Sequence, residues 1–215
     1  MDRLSERFPL ERGSHDSREQ GMCAMEMVAW LAGEPHSDEP RCACPVIAAF
    51  VRAANDVMGG DERNVHLRPL VPQLVNTRRG FAVQQRRGWL VLDCMLRELV
   101  PMWLEQRGRT TAARAFRSLG SVRSAVALER AAGALGEHGV ELRAARWVVQ
   151  RAREGRSPAR FVAGAVQIAR GIADERAWPA VARTIAAMAA VGRNPHDGRT
   201  PEGRPVSSDP AAAGA

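Results

Sequence analysis

The sequence contains no lysine and no tyrosine, although 26% of its residues are charged. Every basic side chain other than histidine is therefore an arginine, and the large aromatic side chains are five tryptophans and five phenylalanines. Most of these aromatic residues lie at the spacing of a helical core. A surface on which nucleic-acid bases stack is therefore not expected, since such surfaces need exposed aromatic rings.

The sequence also lacks long apolar runs and the motifs of the commonest enzymes. No run approaches the roughly 20 residues that span a bilayer, and the charged N-terminus has no apolar centre of a secretion signal. We therefore expect a cytoplasmic protein without a membrane association, in which the four cysteines stay reduced. A glycine-rich phosphate loop, a G-x-S-x-G elbow and an H-E-x-x-H helix are all missing.

Apolar residues recur at helical spacing, and no alternating strand pattern accompanies them. The sequence therefore predicts an all-α fold, a single-domain irregular helical bundle with disordered N- and C-terminal tails. We expect a flexible arm over residues 1–18, a helical domain over 19–191 and a disordered tail over 192–215. Within the domain, residues 19–106 form a cysteine-containing half, and residues 107–191 form helices rich in alanine and arginine.

The charge is distributed unevenly along the chain. The formal net charge is +7 and the pI about 10.9, but residues 1–63 carry a net −5 and residues 64–215 a net +12. The later helices are therefore candidates for binding nucleic acid or an acidic partner protein. The alternative is that these arginines are ordinary solvated side chains of helix faces.

The stretch 21–50 holds three of the four cysteines. Cys23 and Glu26 are three positions apart, so on a helix they share one face. Pro45 predicts the first turn of a second helix, with Cys44 at its N-cap and Cys42 just before it. The positive end of the helix dipole favours the thiolate, the form of cysteine that binds metals or attacks electrophiles.

Folding of these two helices into a hairpin would bring the cysteines together. Cys23, His36, Cys42 and Cys44 then form a four-ligand set for structural zinc, and Glu26 is an alternative fourth ligand.

Two other interpretations remain open for the same residues. In one, the cysteines are ordinary core or surface thiols and the histidine is solvated. In the other, Cys42 or Cys23 is the nucleophile of an enzyme, and Glu26 or Asp93 its acid or base. Asp93 lies in the predicted central helix 81–106, so it either pairs with an arginine or faces the same site as Glu26. Two converging carboxylates and a cysteine would suit acid–base catalysis or a harder metal such as iron.

Three stretches of the chain resemble a bacterial family of helical proteins for which no activity is established. They are CAMEMVAWLAGEPHSDEPRCACPVIAAFVRAAND, LRPLVPQLVNT and WLVLDCMLRELVPMWL, all within residues 21–104. In that family the position of Glu39 is often histidine and that of Cys44 sometimes serine. The resemblance implies a helical fold and does not imply a function.

Overall fold

The computed structural model describes residues 8–155 and 157–193, which form helices joined by loops, without any β-strand. This confirms the prediction of an all-α fold, while the tails predicted within residues 1–7 and 194–215 lie outside the described residues. The α-helices, in chain order, are α1 (Ala24–Leu31), α2 (Pro45–Val57), α3 (Gly60–His66), α4 (Val71–Leu74), α5 (Phe81–Cys94), α6 (Val100–Glu105), α7 (Thr110–Arg117), α8 (Ala125–Glu137), α9 (Arg143–Arg153), α10 (Val162–Arg170) and α11 (Ala177–Ala190).

Helix α2 begins where the sequence predicts. Pro45 occupies its first turn, where the missing N–H removes no hydrogen bond, and Cys44 is the N-cap. The buried face of α2 contacts α1, α5, α10 and α11. It thus lies at the centre of the bundle.

The predicted central helix 81–106 consists of three parts. α5 leads into a π-helical turn, Met95–Leu99, and α6 follows directly. Pro101, in the first turn of α6, has no N–H to donate to the preceding turn. A π-helical turn is a common way for a helix to accommodate such an interruption.

One continuous hydrophobic core extends from Leu10 to Ala189. Helices from the arginine-rich half, α10 and α11, pack against α2 and α5 from the cysteine-containing half. The two predicted halves are therefore parts of one packed body.

Arg87 of α5 is buried, with 1% of its surface exposed. Its guanidinium donates to the carbonyl oxygens of Thr77 (2.6 Å), Met188 (2.8 Å) and Val191 (2.8 Å). Met188 and Val191 lie at the C-terminal end of α11, where the helix dipole is negative and the carbonyls lack helical partners. Arg87 therefore caps α11 from within the core.

Residues 8–18 differ from the flexible arm that the sequence predicts. The Phe8 ring packs edge-on against Trp30, with 5.3 Å between ring centroids. Leu10 is buried, and its N–H donates to Asn64 Oδ1 at 2.8 Å. The segment is polar and has no helical period, but these anchors attach it to α1 and α3.

No helix in the described ranges combines the length and the apolar character needed to cross a membrane.

Candidate functional site

Glu26, in the first turn of α1, is a buried carboxylate with 1% of its surface exposed. Its Oε1 accepts the main-chain N–H of His15 at 2.6 Å. Its Oε2 accepts the main-chain N–H of Cys23 at 2.7 Å and lies 2.9 Å from His15 Nδ1. A buried carboxylate needs such partners, and here they attach the N-terminal segment to α1.

His36 joins this cluster from the loop between α1 and α2. Its Nε2 donates to the carbonyl oxygen of His15 at 2.9 Å and lies 3.7 Å from Glu26 Oε1. Because a carbonyl oxygen only accepts, Nε2 must carry the proton. Three separate parts of the chain therefore meet at Glu26.

The pKa of Glu26 is lowered from its ordinary value of 4.5 by competing effects. Burial is the largest effect and would raise the pKa. The hydrogen bonds from His15 and Cys23, together with the charge of the His15 ring, outweigh it. Glu26 is therefore ionised at neutral pH, and His15 Nδ1 carries the proton that it donates.

The ring of His15 fits against Gly21. Gly21 has φ +135°, and a Cβ atom there would lie 2.9 Å from His15 Nε2 and 2.7 Å from Glu11 Oε2. Asn55 of α2 is buried and bridges the same region, accepting the N–H of Ala24 and donating to the Glu11 carbonyl. A side chain larger than glycine at position 21 would therefore require the Glu11 carboxylate and the His15 ring to move.

The structure does not assemble the predicted zinc ligands. Within the described part of the chain, no three His, Cys, Asp or Glu side chains form a group that could hold a metal ion. Cys23 and His36 both lie beside Glu26, but the Glu26 oxygens face N–H groups. The main chain at Cys42 and Cys44 instead contacts the segment after α4, where Arg78 donates to Cys42 and Cys44 donates to Thr77.

At two of the predicted ligands, Cys23 and Cys42, burial also disfavours the thiolate, the form of cysteine that attacks electrophiles. Cys23 is the N-cap of α1, and its sulfur accepts the Glu26 N–H at 3.4 Å. Burial raises the pKa of the Cys23 thiol to about 12. Burial also raises the pKa of Cys42, and the nearby Glu34 carboxylate adds to this shift. Burial at Cys42 therefore acts against the thiolate that the position before α2 was expected to favour.

Asp93, the other predicted acid or base, pairs with an arginine. Its carboxylate lies 3.4 Å from Arg97 Nη1, one turn later, and accepts the N–H of Val122 at 2.7 Å. Of the two interpretations of Asp93, the structure supports the structural pair.

Next to the Glu26 cluster, the structure contains a pocket of about 200 Å³ lined mainly by polar and charged residues, which we call the Cys23 pocket. Its walls come from the N-terminal segment, the start of α1, the following loop and α2. Arg52 extends over the loop, with its Nη1 2.8 Å from Glu39 Oε1 and 3.8 Å from Asp38 Oδ2. The pocket is lined by Gly13, Ser14, Cys23, Asp38, Arg52, Asn55 and Asp56.

Sequence reasoning missed most of this pocket. Gly13 and Ser14 fall in the segment predicted to be flexible, and Arg52 and Asp56 resemble ordinary polar residues of an exposed helix face. One signal was present, because Asn55 follows the apolar residues of α2 at helical spacing. A polar residue at a core position indicates a buried partner.

The chain gave no match to models of known protein families, to curated proteins or to solved structures. The interpretation of the site therefore depends on its own geometry.

Proposed function

We propose that the protein binds a small zwitterionic molecule, such as a free amino acid, in the Cys23 pocket. The observation that carries this proposal is the presence of both charge signs in one small pocket, with carboxylates from Asp38 and Asp56 and a guanidinium from Arg52. A volume of about 200 Å³ lies below the roughly 300–1,000 Å³ of pockets for drug-sized ligands. The size favours a ligand of few atoms.

Asp56 and Arg52 each have polar atoms that make no hydrogen bond within the described part of the chain and that can bind a ligand. Asp56 uses Oδ1 to accept the Gly13 N–H at 3.2 Å. Among the described residues, Arg52 makes its polar contacts through Nη1. The second Asp56 oxygen then binds an ammonium group, while Arg52 Nε and Nη2 bind a carboxylate, with the paired geometry that guanidinium favours.

The surrounding chemistry supports binding in preference to catalysis. The Cys23 thiol on the wall of the pocket stays protonated because its pKa is about 12. Glu26 has both oxygens engaged by N–H donors, so it is not free to remove a proton from a ligand. Its role in the proposal is to hold the segment 13–15 in place as one wall.

Thermal unfolding of the full chain with free amino acids, their amides and simple amines tests the proposal. A ligand that binds only the folded state raises stability by about 2.7 kcal/mol at 100 times its Kd. We expect the zwitterionic amino acids to raise the melting temperature most. Failure of every amino acid to raise it would overturn the proposal.

Two variants identify the groups that bind the ligand. Arg52→Gln should weaken binding of amino acids while sparing their amides, which lack the carboxylate. Asp56→Asn should weaken both, because both carry the ammonium group. Arg41→Gln and Asp61→Asn change exposed residues outside the pocket and serve as matched controls. Equal effects of the pocket and control variants would place the ligand elsewhere.

A further inference from the structure

Trp147 of α9 is 44% exposed, although the sequence places most of the aromatic residues at the spacing of a helical core. All five tryptophans are in the described ranges, and the other four are half-buried. The buried residues of α9 include Ala145, Val148 and Val149. Trp147 lies on the opposite side of the helix from this stripe.

An open, largely apolar groove of about 460 Å³ begins at the indole and continues onto α10. Gly164 allows the two helices to approach closely. A Cβ atom at position 164 would lie 2.5 Å from Val148 Cγ2 and 3.1 Å from two carbons of the Trp147 ring. This Trp147 groove is lined by Arg143, Ala144, Trp147, Ala163, Gly164 and Gln167.

Arginines lie on both sides of the indole along α9. Arg143 and Arg151 are four residues before and four after Trp147, so all three share one helix face. The Arg151 guanidinium carbon is 5.8 Å from the centroid of the Trp147 ring. The stretch 143–170 carries seven arginines and one acidic residue, Glu154, which pairs with Arg151 at 3.0 Å. Arg143 in the lining and Arg151 beside the indole therefore place two guanidinium groups, the second of them paired with Glu154, next to an apolar wall.

We propose that the Trp147 groove binds single-stranded nucleic acid. One unpaired base stacks on the indole within the apolar groove. The phosphates on either side of that base contact Arg143 and Arg151, which are about 12 Å apart along the helix axis at 1.5 Å per residue. Aromatic stacking together with arginine contacts to the backbone is the usual basis of binding to single strands without sequence preference.

The shape of the groove favours this ligand over an acidic peptide. A peptide helix binds through several apolar anchors at successive turns, and a peptide that binds as an added β-strand requires an unpaired strand edge. The Trp147 groove supplies one aromatic anchor, and both of its walls are helices, whose main-chain groups are already paired. A nucleic-acid strand requires only a ring for its base and cations for its phosphates.

Fluorescence anisotropy of a labelled oligothymidine with the full chain at low salt tests the proposal. Trp147→Ala should weaken binding by about 5- to 150-fold, corresponding to the 1–3 kcal/mol of stacking lost per base. Phe81→Ala is the matched control, because Phe81 is 58% exposed and lies outside the groove. It should change affinity less than twofold.

Salt dependence and competitors provide a second measurement that does not depend on the tryptophan variant. For single strands, the logarithm of affinity falls with the logarithm of salt concentration by about 0.7 per phosphate contact. Arg143→Gln and Arg151→Gln should each reduce this slope by about 0.7. Duplex DNA should compete poorly, because its bases are not free to stack. The proposal is overturned if duplex DNA binds as tightly as the single strand, or if poly-glutamate binds and this binding is lost in Trp147→Ala. It is also overturned if Trp147→Ala binds oligothymidine as tightly as the wild type does.

Discussion

Replacing Glu26 with glutamine tests the central feature of the site, because it keeps the size of the side chain and removes its charge. The two carboxylate oxygens accept three N–H groups, two from the main chain of His15 and Cys23 and one from the His15 ring. An amide has one acceptor oxygen and one donor nitrogen. Whichever way the amide turns, at least one of the three N–H groups then faces another donor.

The expected loss follows from these contacts. A buried donor left without a partner costs about 1–3 kcal/mol, and a hydrogen bond to a charged group contributes about 1 kcal/mol more than a neutral one. We therefore expect Glu26→Gln to lower the free energy of unfolding by about 2–4 kcal/mol at pH 7. This is a large part of the roughly 5–15 kcal/mol that stabilises a typical domain.

Urea unfolding, followed by tryptophan fluorescence, measures this loss. Glu129→Gln is the matched control, since Glu129 is exposed and forms a surface ion pair with Arg153. Its loss should stay below about 1 kcal/mol. The reasoning is refuted if Glu26→Gln lowers the free energy of unfolding no more than this control does, while the slope of that free energy against urea concentration stays the same.

The difference in the free energy of unfolding between the wild type and Glu26→Gln should depend on pH, and the sign of this dependence follows from the pKa of Glu26. The pKa of Glu26 is below its ordinary 4.5 in the folded state, so its ionised form contributes stability above that pH. The contribution is lost as the pH falls through the folded-state pKa. The gap in stability between wild type and Glu26→Gln should therefore narrow below about pH 4.5.

Three further predictions concern other parts of the fold. Cys42 is half-buried and the other cysteines are buried, so native protein should react with a maleimide at Cys42 first. Joint protection of three thiols, lost on adding a chelator, would instead support the predicted zinc set. Arg87→Met removes three hydrogen bonds and should cost at least about 3 kcal/mol in urea unfolding. The exposed neighbour Arg86→Met should stay within about 0.5 kcal/mol, and a similar loss for both would contradict the buried cap. Gly164→Ala should lower the melting temperature through overpacking worth about 1–3 kcal/mol. At Gly133 an added Cβ atom meets nothing within 4 Å. Gly133→Ala should therefore raise the melting temperature, because alanine favours the helix by about 0.5–1 kcal/mol. A higher melting temperature for Gly164→Ala than for Gly133→Ala would contradict the packing at Gly164.

Local patterns in the sequence were sufficient to predict the helices that frame the site. Pro45 predicted the start of α2, and the spacing of Cys23 and Glu26 predicted that they share one side of the helix before it, whose first turn the structure shows at these residues. These predictions depend on interactions between near neighbours in the chain. The pairing of Glu26 with His15 depends instead on how a segment without any period folds back, and local spacing carries no information about that.

Two features of the structure, the burial at Cys42 and the exposure of Trp147, were not expected from the sequence, for different reasons. A helix dipole contributes roughly 0.3–1 kcal/mol at an exposed terminus, and burial opposes it at Cys42. The extent of that burial depends on packing between distant parts of the chain. The exposure of Trp147, in contrast, was readable in advance, because helical spacing places it with Arg143 and Arg151 and away from Val148 and Val149.

The cap that Arg87 forms on α11 also constrains the order of events during protein synthesis. Two of its three acceptors lie 101 and 104 residues further along the chain, and a growing chain acquires its residues from the N-terminus. While the ribosome is still adding residues before Met188, the guanidinium lacks both acceptors, so the earlier helices cannot complete their core. Chains whose synthesis stops between Arg87 and Met188 should therefore be degraded rapidly by proteases.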